Sequence, residues 1–333
     1  MMATIVASIV SADRATVHRA TVALGAAGCV VRSFADVAAL QAGVASAAVS
    51  ALVVLDLDLA PERASALIAE TRAACPRAAL VVVGAQEPAS LLIGALAEAG
   101  VEHLVPKRLP RHGISAGPEG DAIFMAARHV TAETPSSGLG HYLRGGALLD
   151  HARLTASDQR VAALSGLSDF MEALEIPEPR RIALEVAADE LLMNALFDAP
   201  RDASWAPRFA TQDRRQPITL GPGEEVEITW GCDAQRFGIA VADPFGALEK
   251  RDVVRSLDLA AQGKMAPQPG RAGAGIGLAM VHRVVGQMIF DVMPGRRCEV
   301  FAFVRLAMSN RESLETGTSV HFLLGGFAGP RAG

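Results

Sequence analysis

Four short runs of β-branched and aliphatic residues, "ATIVASIV", "ALVVLDL", "AALVVVGA" and "HLVP", recur through the first third of the chain. Ala/Leu-rich stretches of helical period separate them. That alternation has the spacing of βαβ units, and strands joined by such crossovers lie parallel. A doubly wound parallel sheet over residues 1–130 follows. The pattern then stops at "TAETPSSGLG", Thr131 to Gly140, a polar Pro/Ser/Gly stretch that reads as the start of a linker, residues 131–150.

A different order follows over 151–327. Helical stretches at about 156–174 and 178–199 precede "EEVEITWG" and "QRFGIAVAD", an antiparallel hairpin by alternation and turn. A helical segment from about 248, a Gly/Pro-rich loop, a helix from about Ile276 and the strands "MIFDVMP", "CEVFAFVRLA" and "TSVHFLL" complete it. Helices on one face of a mixed sheet, an α+β sandwich, is the expected result. No internal repeat is visible. A length of 333 residues leaves room for two such domains, each with its own core.

The longest apolar runs are interrupted early, as "ALVVLDLDLAP" is by Asp56 and Asp58, so no segment spans a bilayer. The N-terminus has neither a basic start nor a small-residue cleavage site, and a cytoplasmic location is expected. Cys29, Cys75, Cys232 and Cys298 lack metal spacing and are expected to be reduced thiols. A net charge of −5 without long basic runs argues against nucleic acid and for small-molecule or protein partners.

Three segments carry chemistry. In "EVAADELLMNALFDAP", Ile182, just upstream, with Val186, Leu191 and Phe197, is expected to line an apolar stripe, while Glu190 and Asn194 share a face one turn apart. At "RFGIAVADPFGAL", Asp243 leaves a buried strand at a tight turn, a poor place for a carboxylate without a hydrogen-bonding task. "GRAGAGIGLAMVHRVV" sets Gly270, Gly273, Gly275 and Gly277 before a helix, where backbone amides can approach phosphate oxygens.

The order of these segments over about 150–325 resembles the GHKL ATPase superfamily, which includes DNA gyrase, Hsp-type chaperones, histidine kinases, MutL-like proteins and anti-sigma serine kinases. The resemblance implies a sandwich of the GHKL (Bergerat) type that binds ATP and Mg2+. By it, Asn194 holds the metal, Glu190 is the general base, and Asp243 bonds the adenine amino group. Gly246 belongs to the first glycine box; Gly273, Gly275 and Gly277 close over the phosphates, in a lid running from about Leu248 to Gly277. Two positions depart from the family pattern: Phe245 stands at the first glycine of a usual DxGxG, and Asp198 follows the asparagine where sensor kinases often have histidine.

Residues 3–130 resemble a response-regulator receiver, with Asp56 in the phosphoacceptor place and Lys107 at the end of its strand. The acidic pair after the first strand is replaced by Ser11 and Ala12, with Asp13 beside them, and Gly84 stands where a hydroxyl residue is usual. Loss of metal ligands removes most acyl-phosphate reactivity, so the receiver is expected to be degenerate. Asp58 reads as a loop carboxylate on the same side as Asp56.

Histidine autophosphorylation is disfavoured, because Gly145 and Gly146 break any helix that would carry His141 or His151. The expectation is a two-component-type signalling protein whose ATPase domain phosphorylates Ser or Thr on a protein partner. A nucleotide-gated interaction module without transfer chemistry is the alternative, and a homodimer is left open. A dinucleotide-dependent oxidoreductase is disfavoured, since "SADRATVHRA" replaces the GxGxxG required after the first strand.

Overall fold

The computed structural model describes residues 5–44, 50–85, 89–98, 100–107, 118–131, 138–209, 212–262, 276–307 and 317–324. The chain forms two compact units, one containing Met1–Pro135 and Thr316–His321, the other Ser136–Glu315 and Phe322–Gly326. Among the described residues, no helix is long and apolar enough to cross a membrane.

The first unit is α/β. Strands β1 (Val6–Val10), β2 (Val30–Phe34), β3 (Leu52–Asp56), β4 (Ala79–Ala85) and β5 (Val101–Lys107) alternate with helices α1 (Arg14–Ala26), α2 (Val37–Val44), α3 (Ala64–Ala74), α4 (Ala89–Ala97) and α5 (Pro118–Thr131). All pair in parallel, in the order β2-β1-β3-β4-β5. Strands β1 and β3 are buried throughout, as covering both faces with helices requires. The strand order reverses between β1 and β3, and in such sheets the carboxyl ends beside the reversal form a crevice suited to a site. Ser11, Asp56, Ala85 and Lys107 lie at those ends.

Strand β2 was not expected from the sequence. Its residues are exposed or half-exposed, so "VVRSF" lacks the apolar run that marks its neighbours. Strand β11 (Ser319–Leu324), read from sequence as part of the second domain, is divided between the two units after His321; Val320 and His321 pair antiparallel with β5.

In the second unit, β6 (Leu148–Leu154) leads into α6 (Arg160–Ala173) and α7 (Glu178–Met193). Strands β7 (Val226–Cys232) and β8 (Arg236–Asp243), helices α8 (Lys250–Ala261) and α9 (Ile276–Val284), and strands β9 (Gln287–Met293) and β10 (Arg297–Arg305) follow. The sheet order is β9-β10-β8-β7-β6, every pair antiparallel. Alternation sends Phe237, Ile239, Val241 and Asp243 to one face of β8. Helix α6 covers that face, with Phe170 against Phe237 (ring centroids 6.1 Å) and Gly166 against the indole of Trp230. Asp243 therefore emerges under the helical layer. Strand β6 was also unforeseen: it is the outer strand, nearly all of "LLDHARL" is exposed, and it begins inside the stretch read as linker.

Candidate functional site

Helix α7 buries Leu184, Ala187, Ala188, Leu191 and Leu192, the 3–4 spacing of one helical face. The expected stripe is corrected at Ile182, which lies off that face and is 54% exposed. Glu190 and Asn194 fall on its flank, both half-buried. They are one regular turn apart, because the Asn194 N–H still donates to the Glu190 carbonyl. After Asn194 the helix widens into a π turn, Asn194–Asp198, closed by the Ala199 N–H on the Asn194 carbonyl at 2.9 Å. The sequence could not show this, since its apolar spacing suits an α-helix equally. Single π turns recur at functional sites.

Two arginines tie down the end of that turn. Arg214 donates to both oxygens of Asp198, at 2.7 and 2.8 Å. Arg201 donates to the carbonyls of Asp198 (2.5 Å), Ala199 (3.1 Å) and Pro200 (3.3 Å), which have no partner further along the helix. Neither arginine was singled out from sequence. Their signal is a set of arginines following "FDAP" in a Pro-containing loop.

The decisive contact joins α7 to α9. A Cβ on Gly277, in the first turn of α9, would stand 2.1 Å from Glu190 Oε2. The carboxylate of α7 thus lies against the open face of this glycine, and a side chain at 277 would displace it from that position. Desolvation raises the Glu190 pKa above its ordinary value and the neighbouring Asp189 charge adds to this, while Arg214 opposes it. Asp189 is itself ion-paired with Arg160. The result is a half-buried carboxylate beside a helix N-terminus, where backbone dipoles favour anions. Gly270, Gly273, Gly275 and the rest of 263–275, the part of the expected lid immediately before α9, lie outside the described residues.

Asp243 is buried, and its Oδ1 accepts the N–H groups of Phe245 (2.9 Å) and Gly246 (3.2 Å). Both bonds fall on one oxygen, which leaves Oδ2 as an acceptor for another group. Burial pushes its pKa up to about 6, against the lowering effect of these amides, Arg201 and Arg297. Gly246 has φ +60°, and a Cβ there would stand 2.1 Å from the Met293 carbonyl. That glycine is accounted for by the approach of the β9–β10 turn. Phe245 is buried, with the Arg208 guanidinium 5.9 Å from its ring centre.

Among the described residues no three His, Cys, Asp or Glu side chains group to hold a metal ion. Such a donor set fits Mg2+ only where phosphate oxygens and water complete its shell, with the Asn194 carboxamide as a single protein ligand.

In the first unit, Lys107 Nζ lies 2.5 Å from Asp56 Oδ1 and 2.9 Å from Asp58 Oδ2. Ser11 Oγ donates to Asp56 Oδ2 (2.5 Å), the Asp58 N–H to Asp56 Oδ1 (3.0 Å), and the Ala85 N–H to Asp58 Oδ1 (2.9 Å). The view of Asp58 as an idle loop carboxylate is corrected. Beyond Asp56 the chain turns into a short 3-10 helix, Leu57–Leu59, so strand alternation does not apply and Asp58 is brought onto the lysine. Asp13 caps α1, accepting from the amides of Ala15 and Thr16. Both oxygens of Asp56 are thus engaged. Acetyl phosphate with Mg2+ should leave Asp56 unmodified by intact-mass measurement. An acid-labile phosphoryl group lost in Asp56→Ala would contradict this.

No protein-family model and no curated protein matches the chain. Among solved structures, a response regulator from Thermotoga maritima is similar over 34% of this chain and 90% of that one, with 21% sequence identity and a TM-score of 0.28.

Proposed function

We propose that the second unit binds ATP with Mg2+ and transfers the terminal phosphoryl group to a serine or threonine of a protein partner, the first unit acting as a degenerate receiver in the same signalling chain. The observation that carries this is the Glu190–Gly277 contact, which brings a carboxylate suited to accept a proton to the start of α9, one turn from Asn194.

In this reading Asp243 Oδ2 accepts a hydrogen bond from the adenine amino group. Asn194 would hold Mg2+ through its side-chain oxygen, the metal would supply neutralisation of phosphate charge, and the start of α9 would offer its N–H groups to the phosphates. Glu190 accepts the hydroxyl proton as the partner's oxygen forms its bond to the γ-phosphorus. The bond from that phosphorus to the bridging oxygen breaks, and ADP leaves. A raised pKa strengthens Glu190 as a base near neutral pH, provided it is ionised.

Isothermal titration with ATP, GTP and a non-hydrolysable ATP analogue, with and without Mg2+, tests the reading before turnover is measured. The expected result is Mg2+-dependent binding of ATP and its analogue, with GTP weaker. Absence of ATP binding would remove the proposal. Tight binding without transfer under any partner condition would replace the kinase with a nucleotide-gated interaction module.

A further inference from the structure

Trp205 is 53% exposed and has φ +67°, a left-handed conformation that bulky residues rarely adopt. Its loop is built to hold it there. Asp202 Oδ1 accepts from the Ser204 N–H (2.8 Å), the Ser204 hydroxyl (2.7 Å) and the Ala206 N–H (3.0 Å). The Trp205 N–H donates to the Asp202 carbonyl (3.0 Å) and the Asp202 N–H to that of Ala206 (2.9 Å). Arg201 and Pro207 close the loop with a bridge. Burial does not explain the arrangement, because the indole remains in water and its neighbours Ala203, Ser204 and Ala206 are small and exposed.

The loop stands on the Asp243 turn. Past its closing bridge, Arg208 sets its guanidinium over Phe245, 5.9 Å from the ring centre. At its tip, the indole Cη2 would be 3.8 Å from a Cβ on Gly295. The Gly295 N–H donates to the Gly246 carbonyl (3.3 Å), and the Gly246 N–H to Asp243 Oδ1 (3.2 Å). The indole edge is thus linked to the buried carboxylate through the backbone of two glycines, Gly295 and Gly246.

We infer that Trp205 is a stacking platform for the base of the nucleotide whose edge Asp243 reads; this rests on the nucleotide reading above. A planar, electron-rich surface beside the turn that carries Asp243 suits a purine. One indole among small residues offers no extended apolar area for a protein partner. Stacking is indifferent to base identity, because every base has a π-face, so Trp205 sets affinity and Asp243 sets choice.

The chain has two tryptophans, and Trp230 is 2% exposed, so intrinsic emission reports change at Trp205 with little interference. Titrating the full chain with ATP·Mg2+ should quench the long-wavelength emission, and Trp205→Phe should lose that signal while keeping Kd within about threefold. Trp205→Gly should weaken ATP and GTP equally, by about tenfold or more, leaving their ratio and Tm unchanged or Tm slightly raised, because glycine relieves the left-handed backbone. If calorimetry shows ATP bound with the same Kd in wild type and Trp205→Gly, and emission does not change, the stacking role is wrong while nucleotide binding stands. A marked fall in Tm with unaltered Kd would assign the indole to packing and also overturn it. If wild type binds no ATP, both the nucleotide reading and this inference fall.

Discussion

Glu190→Gln should bind ATP as the unaltered chain does and lose about a hundredfold or more in turnover, measured with the partner present. Glutamine keeps the shape beside Gly277 and cannot accept a proton. The rising limb of the pH–rate profile, which desolvation of Glu190 moves upward, should vanish with it. Asn194→Ala should fail differently, weakening Mg2+-dependent binding as well as turnover. Equal, low hydrolysis by wild type and Glu190→Gln under all conditions, with tight ATP binding by both, would exclude Glu190 as the base.

Asp243→Asn should abolish most ATP affinity and at the same time make the protein more stable at neutral pH. The affinity loss follows because an amide in place of Oδ2 can present a donor to the adenine amino group, a mismatch of about 1–3 kcal/mol. The stability gain follows from linkage. A carboxyl raised to about 6 from 3.8 binds its proton more tightly folded than unfolded, so its contribution is complete below about pH 4 and is lost as pH rises to about 6. The loss approaches about 3 kcal/mol, several degrees in Tm. Asparagine still accepts from the Phe245 and Gly246 amides and carries no charge to desolvate. Tm measured from pH 4 to 7 should therefore show the two proteins converging in acid and diverging above it. Parallel curves would mean that Asp243 is ionised at little cost and that its environment is wetter than its burial implies.

The parallel sheet was legible because strands covered on both faces must be apolar throughout, and β1, β3 and β4 carry that pattern in the chain itself. Edge strands obey no such demand. Exposed or half-exposed positions in β2 and β6 accept Arg32, Asp150 and His151, and neither strand stands out in the sequence. Within the site, the one-turn spacing of Glu190 and Asn194 survives folding because it is local. The contact with Gly277 joins residues far apart in sequence, where a glycine needed for helix packing looks the same as one needed for phosphate. Gly246 is a second case, since its lack of a side chain serves the β9–β10 turn. Asp58 lies two residues past the end of β3, and its contact with Lys107 joins residues 49 apart, which no local pattern in the chain displays.

A signal requires two distinguishable states. The ammonium of Lys107 already has both Asp56 and Asp58 as counter-ions, and the amide of Ala85 already has its acceptor. In the function proposed above, such a module holds one setting, and control of the output passes to how many copies of the chain are present.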